Sequence, residues 1–389
     1  MAIRGRYAHL VVAILSVLLV ASCGGGGGES DTAAVQDDGG SGNGDGNGGG
    51  QLPGDDQRPN PTPPGGGGAD DPANGGRQPG DGDSDPPQDP PPGNDDPPKL
   101  YKPDSGPEVG ATPVILTLHD PARDKDLDLQ VNWPVDGASL PLVIFSHGND
   151  GSMLAYDPIV THWVSWGYAV IRPDHLDSYL VPIEDRAQDF DDWEDRIHDV
   201  VFILDSLDQI EADIPALAGR IDRGRIGMAG HSFGAHTTQM VCGAVTTTNV
   251  SYLDSRFRAA LMISPQGIGD MLGENSWDAF TNPMMVITGT NDEGRDGEPW
   301  TWRMDPYNHA PADGIKHAVI IDGAYHNFGD IYGIGYVPYP PNPTHVTYVR
   351  SASMAFLDAY VRDLPEAQAY LASDDMEVAS DNEIDYQRK

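Results

Sequence analysis

Residues 108–372 predict an α/β domain with a mostly parallel central sheet and helices on both faces. Short apolar runs rich in β-branched and aromatic side chains alternate there with longer segments whose apolar residues recur at helical spacing. This alternation is typical of strands joined by crossover helices. The stretch is also long enough to bury a large hydrophobic core. The 47 glycines and 34 prolines crowd instead into the first quarter of the chain, so composition separates the domain from what precedes it.

The predicted strands and helices follow one another along this stretch. Residues 114–118 and 127–133 predict an antiparallel strand pair that opens the domain. Residues 140–146 (LPLVIFS) form an uninterrupted apolar run, which indicates a strand buried on both faces. Further strands are predicted at residues 168–172, 225–229, 257–264, 284–288 and 318–322. Helices are predicted, partly from stripes of apolar side chains, near residues 156–166, 193–207, 233–243 and 344–362.

A strand–turn–helix motif carries the strongest functional signal. Residues 230–234 read Gly-His-Ser-Phe-Gly, between the strand predicted at 225–229 and the helix predicted at 233–243. In a Gly-x-Ser-x-Gly motif of this kind the serine stands on a sharp, strained turn, and the two glycines let helix and strand pass closely. The start of the helix also favours developing negative charge. We therefore predict that Ser232 is a nucleophile; the alternative is a purely structural pair of glycines.

A serine hydroxyl needs a base to remove its proton, and we predict that His326 is this base. Enzymes with the motif place the acid and then the histidine after the serine in the chain. His326 follows the strand predicted at 318–322, and catalytic groups gather at such strand ends. Asp292 follows the strand predicted at 284–288 and is the predicted acid. Glu293 is the first alternative acid, and Asp296 and Asp305 are less favoured ones. A structural role in its loop is the alternative for the histidine.

Two backbone amides are predicted to stabilise the oxyanion of a tetrahedral intermediate. One belongs to Phe233, the residue after the nucleophile. The other belongs to Asn149, in the loop after the long apolar strand, because Gly148 before it allows close approach of the backbone. We expect His147, in the same loop, to brace the loop rather than to react.

These motifs resemble the branch of the α/β-hydrolase superfamily that contains platelet-activating-factor acetylhydrolases, dienelactone-hydrolase-like proteins and bacterial polyester-hydrolysing lipases. Residues 145–148 (Phe-Ser-His-Gly) are similar to the oxyanion loop of the acetylhydrolases, residues 230–234 to their nucleophile turn, and residues 323–328 to their histidine loop. The resemblance covers roughly residues 113–362. It implies the α/β-hydrolase fold and cleavage of carboxylic esters through an acyl-enzyme, with no metal or organic cofactor.

The sequence departs from this family in two places. In the acetylhydrolases the acid follows the strand matched here by residues 261–264, which leads into Pro265 and Gln266 and offers no carboxylate. An acid one strand later, at Asp292, resembles the lipases instead. Dienelactone hydrolases use a cysteine where Ser232 stands, so their substrate is not carried over.

The sequence leaves several functions open. Hydrolysis of a small-molecule, lipid or polyester ester is the leading expectation. A peptidase or amidase with the same triad and a catalytically silent binding module are the alternatives. Trp300 and Trp302 lie between acid and base along the chain and are expected to line a substrate pocket; ordinary aromatic packing is the alternative. The net charge of −37 repels nucleic-acid phosphates, so DNA and RNA are not expected partners.

The beginning of the chain predicts export and lipid anchoring. In residues 1–22, Arg4 and Arg6 precede a short apolar run that ends in Val-Ala-Ser, which is typical of a secretory signal and too short for a comfortable transmembrane helix. The following Cys23 resembles the lipidated cysteine of bacterial lipoproteins, which implies a diacylated anchor in the cell envelope. Gly24, rather than aspartate, implies the outer membrane. An ordinary signal with a coincidental cysteine is the alternative.

Two segments are predicted to be disordered. Residues 23–107 are rich in glycine, proline and aspartate, and they cannot bury enough apolar surface to offset their conformational entropy. We expect them to form a tether between the anchor and the domain. Residues 373–389 are acidic and are expected to be a disordered tail.

Overall fold

A nine-stranded sheet forms the centre of the computed structural model, which describes residues 97–188, 191–333 and 339–389. These residues fall within one compact unit, Pro86–Lys389. The strands are β1 (Val114–Asp120), β2 (Lys125–Asn132), β3 (Leu140–Ser146), β4 (Ala169–Pro173), β5 (Ile221–His231), β6 (Phe257–Ile263), β7 (Met284–Asn291), β8 (Lys316–Tyr325) and β9 (Ile384–Arg388). The α-helices of the described ranges are α1 (Asp157–Ser165), α2 (Trp193–Asp205), α3 (Leu207–Asp213), α4 (Phe233–Cys242), α5 (Asp305–His309), α6 (Pro343–Tyr360), α7 (Pro365–Ala372) and α8 (Asp375–Ala379), and a 3₁₀ turn covers Trp300–Met304.

The sheet is mostly parallel. Its strand order is β1-β2-β4-β3-β5-β6-β7-β8-β9. The six strands from β4 to β8 in that order are parallel to one another. The pairs β1/β2, β2/β4 and β8/β9 are antiparallel.

The chain reverses its direction across the sheet beside β3. The next strand, β4, lies on one side of β3, whereas β5 lies on the other. In open α/β sheets such a reversal leaves a crevice at the carboxyl ends of the two strands, and ligands bind there. The loops that follow β3 and β5 are therefore neighbours. One contains Asn149 and the other contains Ser232.

A separate apolar core covers each face of the sheet. Buried side chains of α2, α3 and α4 belong to one core, and those of α1, α6 and α7 belong to the other. Strand β3 contributes to both, with Leu142 and Ile144 on one face and Val143 and Phe145 on the opposite face. Successive side chains of a strand point to opposite faces, so a strand covered on both sides reads as an uninterrupted apolar run. The predicted α/β class, with helices on both faces of a mostly parallel sheet, is confirmed.

The predicted strands and helices are all present, with shifted ends. The pattern at residues 225–229 marks only the buried half of β5, which starts at Ile221, because the first residues of this strand are partly exposed. The long helix predicted at residues 193–207 is shorter and is followed directly by α3. The helix predicted at residues 344–362 corresponds to α6.

The prediction of a disordered acidic tail is wrong. Residues 375–379 form α8, and β9 pairs with β8 in the antiparallel direction. Ile384 and Tyr386 alternate with polar residues along β9 and are buried. The Tyr386 hydroxyl lies 2.7 Å from Nδ1 of His317 and donates to the carbonyl of Leu371 at 2.8 Å. The end of the chain is therefore an edge strand of the sheet.

The folded unit also begins earlier than the predicted boundary at residue 108. The Tyr101 hydroxyl donates to Asp358 Oδ2 at 3.0 Å, and Lys102 forms an ion pair with the same carboxylate on α6. The amide of Gly106 donates to the Ser165 hydroxyl at 2.8 Å. The last residues assigned to the tether thus pack against the domain.

The predicted signal peptide, Cys23 and the predicted tether as far as residue 96 lie outside the described residues. Along the described ranges, none of the helices is both long and apolar enough to cross a bilayer.

Candidate active site

Ser232 lies on a strained turn between β5 and α4. Its backbone φ is 53° and ψ is −118°, in a region that side-chain-bearing residues rarely adopt. The Ser232 amide donates to the carbonyl of Ile263 at 2.9 Å, and its own carbonyl accepts from Ala235 at 2.8 Å and from His236 at 3.1 Å. These bonds hold the turn against β6 and against the first turn of α4. Strain that the surroundings maintain in this way is typical of functional positions.

Close backbone contacts explain the two glycines of the motif. A Cβ on Gly230 would lie 2.1 Å from the carbonyl oxygen of Gly234. A Cβ on Gly234 would lie 1.9 Å from the carbonyl oxygen of Ser146, at the end of β3. Neither position can therefore carry a side chain while helix and strands keep their separation.

The structure brings the predicted acid and base together. Nδ1 of His326, just after β8, lies 2.7 Å from Oδ1 of Asp292, just after β7. Asp292 is fully buried, and its other oxygen accepts from the Thr288 hydroxyl at 3.1 Å. A proton on Nδ1 that is donated to this carboxylate leaves the lone pair on Nε2. Within the described ranges neither Nε2 of His326 nor Oγ of Ser232 has a hydrogen-bond partner.

The alternative acid, Glu293, plays a different part. Its side chain is exposed, and its backbone carbonyl accepts from Arg303 at 2.9 Å. Of the two adjacent carboxylates, Asp292 is the one that contacts the histidine.

A buried arginine, which the sequence analysis missed, completes the acid site. Nε of Arg303 lies 2.9 Å from Oδ1 of Asp292, and Nη1 donates to the carbonyls of Ser264 and Pro265 at 3.2 Å each. Burial alone would raise the pKa of Asp292, but the adjacent His326 and Arg303 outweigh it and hold that pKa below its usual range. Arg303 lies in the 3₁₀ turn, next to Trp302 and close to Trp300 in the chain. The sequence of this aromatic stretch did not indicate that the arginine would pair with a carboxylate.

A second missed residue, Tyr156, links the two halves of the site. The amide of Gly148 donates to the Tyr156 hydroxyl at 3.0 Å, and this hydroxyl lies 3.1 Å from Nδ1 of His231. Nε2 of His231 lies 2.9 Å from the carbonyl oxygen of His326. Burial and the neighbouring His326 hold the pKa of His231 well below its usual range, so the ring is neutral. The ring accepts at Nδ1 and donates at Nε2. Hydrogen bonds therefore join the loop after β3, the last residue of β5 and the loop after β8.

The loop after β3 is held rigidly beside Ser232. His147 Nδ1 lies 2.7 Å from the carbonyl of Gly148, its Nε2 accepts from the amide of His175 at 3.1 Å, and its own carbonyl accepts from Arg196 at 2.7 Å. Burial, and the charge of Arg196, hold the pKa of His147 at about 4. These contacts agree with a bracing role for this histidine.

The predicted oxyanion donors lie on the two neighbouring loops. A Cβ on Gly148 would be 3.4 Å from Cβ of Ser232, which places the residue before Asn149 against the turn. The amide of Asn149 donates to no protein acceptor among the described residues. Phe233 begins α4 directly after Ser232. The assignment of these two amides as oxyanion donors stays a prediction.

The two tryptophans have different surroundings. Trp302 lines a cavity of about 300 Å³ together with Phe233. Trp300 is partly buried and packs against the hydrophobic core on the same face of the sheet. The described residues contain no group of three or more His, Cys, Asp or Glu side chains placed to hold a metal ion.

A scan of the chain against protein-family models finds no match, and a search of curated proteins finds no similar sequence.

Proposed function

We propose that this chain is a serine hydrolase of the α/β-hydrolase superfamily that cleaves carboxylic esters. The observation that carries the proposal is the 2.7 Å contact between Nδ1 of His326 and the buried Asp292. The carbonyl of the same histidine is bonded to His231, the residue before Ser232. A buried carboxylate, the imidazole bonded to it and a serine on a strained turn each lie just after a parallel strand, at the carboxyl edge of the sheet. They follow the chain order that this superfamily uses, which supports the proposal.

The proposed reaction transfers the acyl group to the enzyme and then to water. Ser232 Oγ attacks the ester carbonyl while Nε2 of His326 takes the hydroxyl proton, and the imidazolium that forms is stabilised by Asp292. Collapse of the tetrahedral intermediate breaks the bond to the alcohol, which leaves with the proton from Nε2. Water, deprotonated by the same nitrogen, then attacks the acyl-enzyme and releases the acid and the free serine.

Two backbone amides supply the second part of the catalysis. Negative charge develops on the carbonyl oxygen of the substrate, and the amides of Phe233 and Asn149 are proposed to donate to it. The bonds from Arg196 and Tyr156 to the loop after β3 support this role, because a donor whose backbone is already held needs no reorganisation during the reaction.

Hydrolysis of p-nitrophenyl butyrate by the full chain tests the proposal. We expect Ser232→Ala to lower kcat/KM by about four orders of magnitude, because it removes the nucleophile. Asp292→Asn should lower it by about three orders, because the carboxylate that keeps the imidazole proton on Nδ1 is lost. The matched controls are Ser139→Ala and Asp296→Asn, at exposed positions outside the triad. A fluorophosphonate probe should label Ser232.

Activity of the Ser232→Ala chain equal to that of the natural chain, with no labelling of Ser232, would sink the proposal and favour a silent binding module. Faster cleavage of p-nitroanilide peptides than of the ester would favour a peptidase.

We also propose that the enzyme works at the bacterial cell envelope, anchored through lipidated Cys23. The apolar run and the Ala-Ser pair before this cysteine support the proposal. We expect a labelled fatty acid to be incorporated into the natural chain and not into Cys23→Ser, with Cys242→Ser as the control because that thiol is buried in the domain. Equal incorporation in all three chains would contradict the anchor.

A further inference from the structure

A cavity of about 300 Å³ opens beside the nucleophile turn. Phe233, whose amide is a proposed oxyanion donor, forms one wall, and Met271, Leu272 and Trp302 supply most of the remaining apolar lining. Apolar concavities with a few polar groups are the usual form of a small-molecule site. Phe233 directly follows Ser232 in the chain, so one wall of the cavity adjoins the nucleophile turn.

Two residues of the lining each carry a buried polar atom that has no partner in the described part of the chain. Nε2 of His236 and Oε1 of Gln266 are buried and make no hydrogen bond with any described residue. The His236 side chain lies on α4, one turn beyond Ser232, and is only 4% exposed. Buried polar groups in proteins are nearly always hydrogen-bonded, so two such atoms on residues that line one cavity favour a ligand that supplies their partners.

The chemistry of these atoms restricts the ligand. Oε1 of Gln266 only accepts, so the ligand must offer a donor. Burial, and then the charge of Arg196, hold the pKa of His236 at about 4, so its ring is neutral at neutral pH. The described residues that line the cavity include no arginine or lysine, and Oε1 of Gln266 and the exposed Asp270 oppose a carboxylate. A neutral hydroxyl, which both donates and accepts, satisfies these conditions.

We propose that this cavity selects hydroxylated esters, whose hydroxyl bonds to Nε2 of His236 and Oε1 of Gln266 while the alkyl chain packs against Phe233 and Trp302. The inference rests on the proposed ester hydrolysis. The chain that carries the hydroxyl belongs either to the acyl group or to the alcohol of the substrate. The test has one series of esters for each of these two cases.

The test compares kcat/KM for esters that differ only by a hydroxyl in place of a methyl group. The acyl arm uses p-nitrophenyl 6-hydroxyhexanoate and p-nitrophenyl heptanoate. The alcohol arm uses the monohexanoate of hexane-1,6-diol and heptyl hexanoate, with acid release followed by titration. In one arm we expect the full chain to favour the hydroxylated ester by about 10-fold or more, because the apolar analogue leaves both buried atoms unpaired.

Variants then locate the effect. In the favoured arm, His236→Phe and Gln266→Leu should each lower the preference several-fold, and His119→Phe, the same change on an exposed part of β1, should leave it unaltered. The second variant changes a loop residue, which keeps the test open if His236→Phe does not fold. A strong preference that survives both substitutions would overturn the inference.

The outcomes separate the inference from the function beneath it. One outcome is that p-nitrophenyl heptanoate is hydrolysed in a Ser232-dependent way and neither arm shows a preference for the hydroxylated ester. This result would support the proposed hydrolase and overturn the cavity inference, and the cavity would then hold only ordered water. If none of these esters is hydrolysed in a Ser232-dependent way, the proposed function and the cavity inference fail together.

Discussion

Arg303 compensates the charge of a carboxylate that has no access to water. Asp292 is fully buried, and a buried carboxylate without a counter-charge would bind a proton and lose its effect on the imidazole. The arginine lies beside this carboxylate and also bonds to carbonyls of the loops after β6 and β7. It is a positioning residue, since it acts on the substrate only through Asp292 and His326.

We expect Arg303→Met to lower kcat/KM for p-nitrophenyl butyrate by about 100-fold or more. The acid loses its counter-charge, and the loops after β6 and β7 lose the hydrogen bonds from the arginine to their carbonyls. The substitution should also cost about 3 kcal/mol of the free energy of unfolding. Removal of the positive charge raises the pKa of Asp292, so the acidic limb of the kcat/KM profile should move to higher pH.

Two further variants isolate this effect. Arg303→Lys keeps the charge and should return part of the activity, although it lacks the forked geometry. Arg258→Met breaks an exposed ion pair with Asp363. It should change neither kcat/KM nor the free energy of unfolding appreciably. If the acidic limb of Arg303→Met coincided with that of the natural chain, the arginine would have only a structural role.

Sequence patterns predicted Ser232, Asp292 and His326 but not Arg303 or Tyr156. The first three occupy positions that motifs and chain order define. A buried arginine or tyrosine is recognised by what it touches. Tyr156 meets His231, and Arg303 meets the carbonyl of Ser264, only when distant parts of the chain have folded together.

At the scale of elements, the turn between β5 and α4 depends on contact between backbones. The carbonyl of Ser146, at the end of β3, faces the Cα of Gly234 so closely that a methyl group would overlap it. The same contact brings the loop after β3 next to Ser232. The close approach of Gly234 to the Ser146 carbonyl therefore both packs the helix on the strand and assembles the site.

We expect Gly234→Ala to lower the free energy of unfolding by several kcal/mol and to abolish esterase activity, because α4 must move away from β3 to admit the Cβ. The control is Gly273→Ala, whose Cβ would lie at an ordinary 3.5 Å from the Thr247 side chain. Urea unfolding and the p-nitrophenyl butyrate assay measure both effects. Similar midpoints and rates for the two variants would show that the turn tolerates a side chain.

The last strand shows why short edge elements escape prediction. In β9 only Ile384 and Tyr386 are buried, and charged or polar residues surround them in an acidic stretch. An edge strand forms when its backbone pairs with an exposed neighbour, here β8, and this neighbour is not visible in the local sequence. The composition of the segment therefore suggested a tail.

At the scale of the molecule, buried neutral histidines tie stability to pH. Burial is the main cause that lowers the pKa of each, to about 4 in the case of His147, His162, His236 and His317. An unfolded histidine has a pKa of about 6.5, so between about pH 6.5 and 4 the unfolded chain binds protons that the folded chain excludes. Stability from these groups is complete above about pH 6.5 and is lost as the pH falls.

Two buried carboxyls oppose this trend. Burial raises the pKa of Asp174 to about 7 and that of Asp192 to about 6, so the folded chain holds protons there that the unfolded chain releases. Their contribution is present at low pH and is lost as the pH rises through these values. Burial holds the pKa values of His175 and His231 even further below their usual range. Since six histidines outweigh two carboxyls, unfolding near pH 5 should take up between about three and four protons.

We therefore expect the free energy of unfolding to fall by roughly 4 kcal/mol per pH unit as the pH is lowered from about 6 to 5. Urea unfolding at several pH values measures it. About 0.5 M salt screens the net charge of −37, whose self-repulsion would otherwise weaken on acidification and mask the effect. Stability that is level or rises toward pH 5 would contradict the assignment of these histidines as neutral.

The sequence by itself determined the α/β class, the alternation of strands and helices, and the three residues proposed for the triad. These follow from local periodicity and from motifs, which are properties of neighbouring residues. The tertiary structure alone decided the strand order, the inclusion of β9 and of residues 97–107, and the partners of Arg303 and Tyr156. It also decided that His236 and Gln266 meet in one cavity. These outcomes depend on burial and on which distant segments become neighbours, and both are set only when the whole chain folds.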